Sequence, residues 1–301
     1  MHVAFSSFIK GAGIVAGGPY NCASDKIYID CMYENSPILT NSINTTLNLS
    51  PTEIDDIDNM KNQKIYIISG SKDTIVGRSV VDQLYSYYVI CGRFVDKENV
   101  VYKKIDSVHT FPTDFDSPNN NPCGSAAMPF ISNCDFDGAG AILKHIYGDL
   151  KPKTTSNESL SSEKNETSRL IQFKQSEFLS SPRKYGLDTN GYIYVPESCQ
   201  GGSACRLHIV FHGCAQSNAN IQMKFVQNTG YDKWAETNNL IILFPQTYPD
   251  SAMHLTPASY MSSNGNACWD FVGWYGDDFQ SKSGKQLSTI YKMIERITSG
   301  A

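Results

Sequence analysis

The sequence predicts an α/β fold, a mainly parallel sheet covered by helices on both faces, and two observations carry that expectation. Short apolar, β-branched segments alternate along the chain with segments whose apolar residues recur at helical spacing. The composition, 41% hydrophobic and 18% charged over 301 residues, is that of an ordinary globular protein that can bury one large core or two small ones.

Taken in order, Met1 to about Lys10 reads as helical, and GAGIVAGGPY, from Gly11, has the close-packing glycines and apolar residues of a buried strand and turn. KIYIISG, Lys64 to Gly70, alternates apolar and β-branched residues before a turn and reads as a strand. In VGRSVVDQLYSYYVI the residues Val80, Val81, Leu84, Tyr87 and Tyr88 fall at helical spacing, and VVYKKI, Val100 to Ile105, is the next strand. DGAGAILKHIYG reads as a helix opened by Asp137, whose carboxylate can accept the unpaired amides of the first turn. The stretch 151–169, KPKTTSNESLSSEKNETSR, is almost devoid of apolar residues and is expected to be a polar, mobile linker. Beyond it GYIYVP, RLHIVFHG and LIILFPQT read as strands, and Asn220 to Asn238 and the terminal STIYKMIERI as helices. Each side of the linker supplies only two or three strands, too few for a closed core. The expected arrangement is therefore one domain, 1–301, whose single sheet is completed from both halves, with two domains as the alternative.

Charge and cysteine content narrow the surroundings. A net charge of -5 without any Lys/Arg cluster argues against a nucleic-acid or anionic-membrane partner, since both need a concentrated basic face. The longest apolar runs, such as LIILF from Leu240, fall far short of the ~20 residues of a membrane span. Nine cysteines and the N-x-S/T sequons at Asn44, Asn48, Asn157 and Asn165 together point to the secretory pathway and an extracellular, glycosylated protein; a monomer is expected. Local spacing pairs Cys22 with Cys31, Cys123 with Cys134 and Cys199 with Cys205, with Cys214 and Cys268 as a longer-range pair. Cys91 is left over, and the apolar run YYVI before it predicts a buried free thiol. The opening MHVAFSSFIKGAGIVAGGPYNCA lacks the basic and apolar regions of a signal peptide, so the expectation is that a signal has been removed or that the recorded start lies inside the mature protein. His2, His145, His208 and His254 show no paired metal spacing, CxxC and HExxH are absent, and no G-x-G-x-x-G sits at a strand-to-helix turn. No metal or other cofactor is expected.

Chemistry concentrates at two strand ends. GSKDTIVG places Asp73 just after the strand at Lys64, and DSVHTFPTDF places His109 just after the strand at Val100. Alone, Asp73 is ordinary turn chemistry and His109 an ordinary loop histidine. Spaced as strand, Asp, helix, strand, His, they match the acid and base of an α/β-hydrolase triad, in which the acid orients the imidazole that takes the serine proton. RLHIVFHGCAQS ends a strand in His212-Gly213, like an oxyanion turn whose backbone N–H, here that of Cys214, stabilises a tetrahedral intermediate. Its place after the histidine rather than before the nucleophile is the order a circular permutation produces. In NACWDFVGWYGDD the aromatic residues Trp269 and Trp274, and less so Phe271, are candidates to line a substrate groove, against the core packing usual for tryptophan. A bridge from Cys214 to Cys268 would set Trp269 beside the oxyanion turn. No serine has glycine at both minus two and plus two, so the G-x-S-x-G nucleophile box is missing.

These motifs, HVAFSS, GAGIVAGGPYNCA, SGSKDTIVG, VHTFPTDF, ISNCDFDGAGAIL, VFHGCAQS, LIILFPQT and NACWDFVGWYG, span nearly the whole chain, which resembles the extracellular poly(3-hydroxybutyrate) depolymerases of the single-domain fungal type. The resemblance implies a circularly permuted α/β-hydrolase that cleaves polyhydroxyalkanoate or related carboxylic esters, with Asp73 as triad acid, His109 as general base, Cys214 as oxyanion amide and Trp269 at the substrate crevice. It also implies that HVAFSS belongs to the helix after the nucleophile elbow. The serine and its strand are then expected about two helical turns before Met1, at roughly 3.6 residues per turn, with an exposed sheet edge or a gap near His2. Without that serine the 301-residue chain is expected to be inactive. Two other readings stay open: a non-catalytic secreted glycoprotein that keeps the fold, and a feruloyl or acetylxylan-type esterase.

Overall fold

The computed structural model describes residues 1–24, 26–33, 35–155 and 169–299. The first part carries the strands β1 (Gly11–Val15), β2 (Lys64–Gly70) and β3 (Val100–Ile105), with helices α1 (Leu39–Leu49) and α2 (Arg78–Tyr85) between them. Short strands β4 (Phe111–Thr113), β5 (Asn121–Pro122) and β6 (Ile131–Asn133) precede helix α3 (Gly138–Tyr147). The second part contains β7 (Leu170–Lys174), β8 (Asn190–Tyr194), α4 (Glu197–Gln200), β9 (Arg206–Ile209), α5 (Asn218–Ile221), α6 (Lys224–Asn228), α7 (Tyr231–Asn238) and β10 (Leu240–Phe244). It ends with the hairpin β11 (Asp250–Leu255) and β12 (Met261–Asn264) and the helix α8 (Lys285–Thr298).

Strands β1, β2 and β3 pair in parallel in that order, as their burial predicts: Ile65 to Gly70 of β2 are all buried, the pattern of a central parallel strand covered on both faces. The second sheet runs β7-β8-β10-β9, antiparallel except for the parallel pair β10-β9. In place of the single sheet expected from the sequence, these two are separate in hydrogen-bonding terms, β4-β6-β5 forms a third small sheet and β11-β12 a fourth. Strands β1 and β9 are edges, and no described strand pairs with their outer sides.

Side-chain packing, rather than a shared ladder, joins the halves. Phe111, Ile131, Ala139 and Leu143 from the first part form one buried cluster with Tyr192, Tyr194, Val210, Trp234, Leu240, Ile242 and Phe244 from the second. The Asp137 carboxylate organises this contact. Its Oδ1 caps α3 by accepting the Gly140 N–H at 2.7 Å, while Oδ2 accepts from Trp234 Nε1 at 2.9 Å and pairs with Lys153 Nζ at 2.8 Å. Gly140 is required here, because a Cβ would lie 2.6 Å from the Trp234 ring. The near-absence of larger residues in DGAGA is therefore what lets α3 approach α7.

Three local expectations change. Met1 to Lys10 is a run of turns rather than a continuous helix, with i to i-4 bonds at Phe5 and Ile9. The region 218–238 breaks into three short helices at the left-handed residues Gln222 and Gly230. Cys91 is exposed rather than buried. After α2 the chain widens into a single π-turn, Ser86–Ile90; Tyr87 and Tyr88 point into the core, and the turn swings Ile90, 55% exposed, and Cys91 outward. The disulfides are Cys22–Cys31, Cys123–Cys134 and Cys199–Cys205, which local spacing suggested, and the longer-range Cys214–Cys268. Asn44 and Asn48 lie one turn apart on the exposed face of α1; Asn157 and Asn165, and most of the predicted linker, lie outside the described residues. No helix among the described residues is long and apolar enough to cross a membrane.

Two outcomes follow from this packing. Leu143→Ala, at a fully buried site shared by both halves, is expected to cost about 2–5 kcal/mol and to shift one cooperative urea transition; a variant in which the halves melt separately would contradict a joint core. The second concerns His208 on β9, half-buried, stacked on Tyr231 and hydrogen-bonded to Tyr147 Oη at 3.1 Å. Burial pushes its pKa down to about 4, so the unfolded chain takes up this proton near pH 6.5 and the native state does not. Stability from His208 is complete above pH 6.5 and falls as pH drops toward 4. His208→Phe is expected to flatten the stability profile in that window by up to about 1.4 kcal/mol per pH unit, measured by urea unfolding at pH 7.5, 6.0 and 5.0; an unchanged slope would contradict the assignment.

Candidate active site

The strand ends bring the predicted acid and base together. Gly70 closes β2, and a Cβ there would sit 2.5 Å from the Ser107 carbonyl oxygen, so only glycine lets the loop after β3 cross this close. Two backbone bonds then zip the loops: Ser71 N donates to Ile105 O at 2.8 Å and Lys72 N to Ser107 O at 2.9 Å. Asp73 and His109 follow directly from these anchored segments.

Asp73 is buried, its side chain 1% exposed, and its carboxylate is fully occupied. Oδ1 accepts the N–H groups of Ile75 and Val76 at 2.8 and 2.9 Å, and Oδ2 meets His109 Nδ1 at 2.8 Å. An ionised carboxylate is acceptor-only, so His109 Nδ1 carries the proton and Nε2 is left as the acceptor. The loop that holds the amides is braced from outside, since Tyr33 N donates to Ile75 O and Gly77 N to Tyr33 O. His109 is 25% exposed at its side chain, and its ring stands edge-on to Phe130 at 5.7 Å between centroids. Among the described residues no serine hydroxyl is hydrogen-bonded to His109.

The turn after β9 reaches the same place through one side chain. Gln216 is buried; its Oε1 accepts Gly213 N–H at 2.8 Å, and its Nε2 donates to Pro129 O at 2.9 Å and Phe130 O at 3.1 Å. The turn that presents Cys214 is thus tied to the segment on which the His109 ring rests. A disulfide to Cys268 and a bond from Ala215 N to Asn266 O at 2.6 Å hold its far side. Ala215, Phe130 and Ala267 all adopt left-handed φ, between 50° and 58°, a conformation that costs a non-glycine residue about 1–3 kcal/mol and that clusters at functional sites. Gln216 is a residue that sequence reasoning missed. The only signal was its place in HGCAQS.

The two tryptophans diverge. Trp269 Nε1 donates to the His212 carbonyl at 3.0 Å and its ring packs on Phe211 and His212, which places it directly beneath the Cys214 turn. Trp274 is 7% exposed and packs with Cys22, Cys31, Cys268 and Val272, the surroundings of a core residue. Both lie in a segment folded around Asp270, whose carboxylate accepts the N–H groups of Val272, Gly273, Trp274 and Tyr275. A cavity of about 310 Å³ next to that segment is lined by Tyr20, Asn21, Asp270 and Phe271 and includes neither Asp73 nor His109.

A carboxylate-oriented histidine, a turn with an available amide and C-terminal strand ends together match hydrolase chemistry. The chain is 43% identical over 301 residues to a polyhydroxybutyrate depolymerase of Talaromyces funiculosus, covering 99% of this chain and 85% of that one. It belongs to the polyhydroxybutyrate depolymerase family. A poly(3-hydroxybutyrate) depolymerase of Delftia acidovorans is 40% identical over 309 residues, and this chain spans 57% of its length. Among solved structures, the PHB depolymerase of Penicillium funiculosum superposes with a TM-score of 0.90 at 42% identity, over 97% of this chain and 88% of that one. A serine-to-alanine form of a PHB depolymerase, complexed with an R3HB trimer, matches with the same figures. No protein-family model matches the chain. The fold is that of the family, mainly parallel sheets flanked by helices as in α/β-hydrolases.

The hydrogen bonding of Asp73 gives a direct test. In Asp73→Asn the amide is expected to keep its oxygen on the Ile75 and Val76 N–H groups and to turn its NH₂ toward His109, which then accepts at Nδ1 and is protonated at Nε2. Long-range ¹H–¹⁵N correlation spectra should show His109 switching tautomer. An unchanged Nδ1–H tautomer in the variant would contradict the pairing.

Proposed function

We propose that this protein is a secreted carboxyl-ester hydrolase of the depolymerase type, acting on polyhydroxyalkanoate or related esters through an acyl-enzyme. The observation that carries the reading is the Asp73–His109 pair, with a 2.8 Å bond at Nδ1 and the opposite ring nitrogen left as an acceptor. In this reading His109 takes the proton of a serine nucleophile and returns it to the leaving alcohol. Asp73 holds the tautomer and stabilises the imidazolium, the Cys214 N–H donates a hydrogen bond to the developing oxyanion, and Trp269 supports the ester-binding surface. Relatives named as depolymerases and a related structure that holds an R3HB trimer support the substrate class.

Four disulfides fit an oxidising, extracellular setting. The exposed pair Asn44 and Asn48 on α1 is accessible to carry N-linked glycans.

A second reading, a fold that binds esters without cleaving them, is supported by the related serine-to-alanine structure, which holds an R3HB trimer. The two readings separate in one experiment. The 301-residue chain is expected to give no turnover of p-nitrophenyl butyrate or R3HB trimer. The same protein extended at its N-terminus by a segment bearing G-x-S-x-G is expected to hydrolyse both, and Asp73→Asn or His109→Ala in that form is expected to lower kcat by about 10³-fold or more. An extended protein that binds the trimer but never cleaves it would favour the binding reading. Undiminished turnover in either variant would remove the roles given to Asp73 and His109.

A further inference from the structure

The His212 side chain does not reach the reacting groups and is absent from the roles above, yet its hydrogen bonds define the peptide on which one of those roles depends. The ring is buried, with 2% of the residue exposed, directly before the exposed turn Gly213-Cys214. Its Nε2 lies 3.2 Å from the Thr247 amide nitrogen, which can only donate, so Nε2 is the acceptor. The Thr247 hydroxyl, also 3.2 Å from Nε2, gives its own proton to the Ala267 carbonyl and so does not compete for the assignment. The proton of the neutral ring therefore sits on Nδ1, which donates to the Gly213 carbonyl at 2.8 Å. That carbonyl belongs to the peptide whose N–H is that of Cys214. In a trans peptide C=O and N–H point in opposite directions. With the carbonyl drawn inward to His212, the Cys214 N–H is turned outward, and among the described residues it donates to no acceptor.

We propose that His212 is a positioning residue whose Nδ1–H tautomer sets the Gly213–Cys214 peptide so that the Cys214 N–H is presented to the substrate carbonyl. The proposal rests on the reading of Cys214 as the oxyanion donor. Neutral imidazole is suited to the task because it carries a donor and an acceptor across one rigid ring. Gln216 fixes the preceding peptide by accepting Gly213 N–H, so the two side chains hold successive peptide planes. The Trp269 indole, on the His212 carbonyl, holds the residue from the other side. Burial lowers the His212 pKa to about 4, and a protonated ring would aim a second donor at the Thr247 N–H. The arrangement is accordingly stable from neutral pH down to about pH 5.

Two measurements test this on the 301-residue chain. Long-range ¹H–¹⁵N correlation of histidine side chains at pH 7 is expected to show His212 protonated at Nδ1 and unprotonated at Nε2; the reverse tautomer overturns the proposal without any variant. The second compares His212→Asn, whose amide N–H can replace Nδ1–H on the Gly213 carbonyl, with His212→Gln, whose amide oxygen can replace Nε2 opposite Thr247 but leaves Gly213 O without its donor. On titration with R3HB trimer, the Cys214 amide resonance is expected to move in the wild type and in His212→Asn. In His212→Gln it should stay put, with about tenfold weaker trimer binding. A wild type and His212→Gln that respond alike overturn the positioning role alone. A wild-type Cys214 amide that ignores bound trimer removes the oxyanion reading, and the proposal with it.

Discussion

The site depends on how the Asp73 carboxylate divides its two oxygens. One is held by the amides of Ile75 and Val76, the other by His109. A buried carboxylate is tolerated only when such partners replace water, and here they come from two separate loops. The constraint runs in both directions. The loop after β2 must curl tightly enough to aim its amides inward, and the loop after β3 must cross it at backbone contact distance, which Gly70 permits. Everything the histidine can do follows from that crossing, because the carboxylate sets which ring nitrogen bears the proton.

A second constraint ties the remote turn to this pair. Gln216 spans from Gly213 to the carbonyls of Pro129 and Phe130, and Phe130 supports the His109 ring. Residues 86 and 87 positions apart in the chain thus share one hydrogen-bonded frame at the C-terminal ends of β2, β3 and β9, the place where open α/β sheets present their ligands. The frame is polar and buried, and its members are mutually satisfied, which is the condition for rigidity rather than for cost. Left-handed Ala215, Phe130 and Ala267 surround it; their strain is held by the surrounding disulfide and backbone bonds.

Much of this was legible in the sequence because it is local. Apolar alternation marked β2 and β10, Asp137 announced the start of α3, and Asp73 and His109 each follow a strand by a few residues. The three local cysteine pairs were readable from their spacing. What escaped was set by tertiary contact. The π-turn that carries Cys91 to the surface leaves no mark in an apolar run, and Gln216 looks like any loop glutamine until Phe130 is folded against it. Trp269 and Trp274 are equivalent by residue type; only the fold of the chain around Asp270 sends one to the Cys214 turn and the other into the core. The separation of the sheet into β1-β2-β3 and β7-β8-β10-β9 was likewise hidden, since strand content does not specify which edges pair.

The most direct test of this account is a crystal structure of the chain with R3HB trimer bound. The account predicts an ester carbonyl oxygen within hydrogen-bonding distance of the Cys214 nitrogen, with that ester group beside His109 Nε2 and Asp73 still bonded to Nδ1. A trimer bound elsewhere, with the Cys214 amide and the His109 ring both uncontacted, would contradict it.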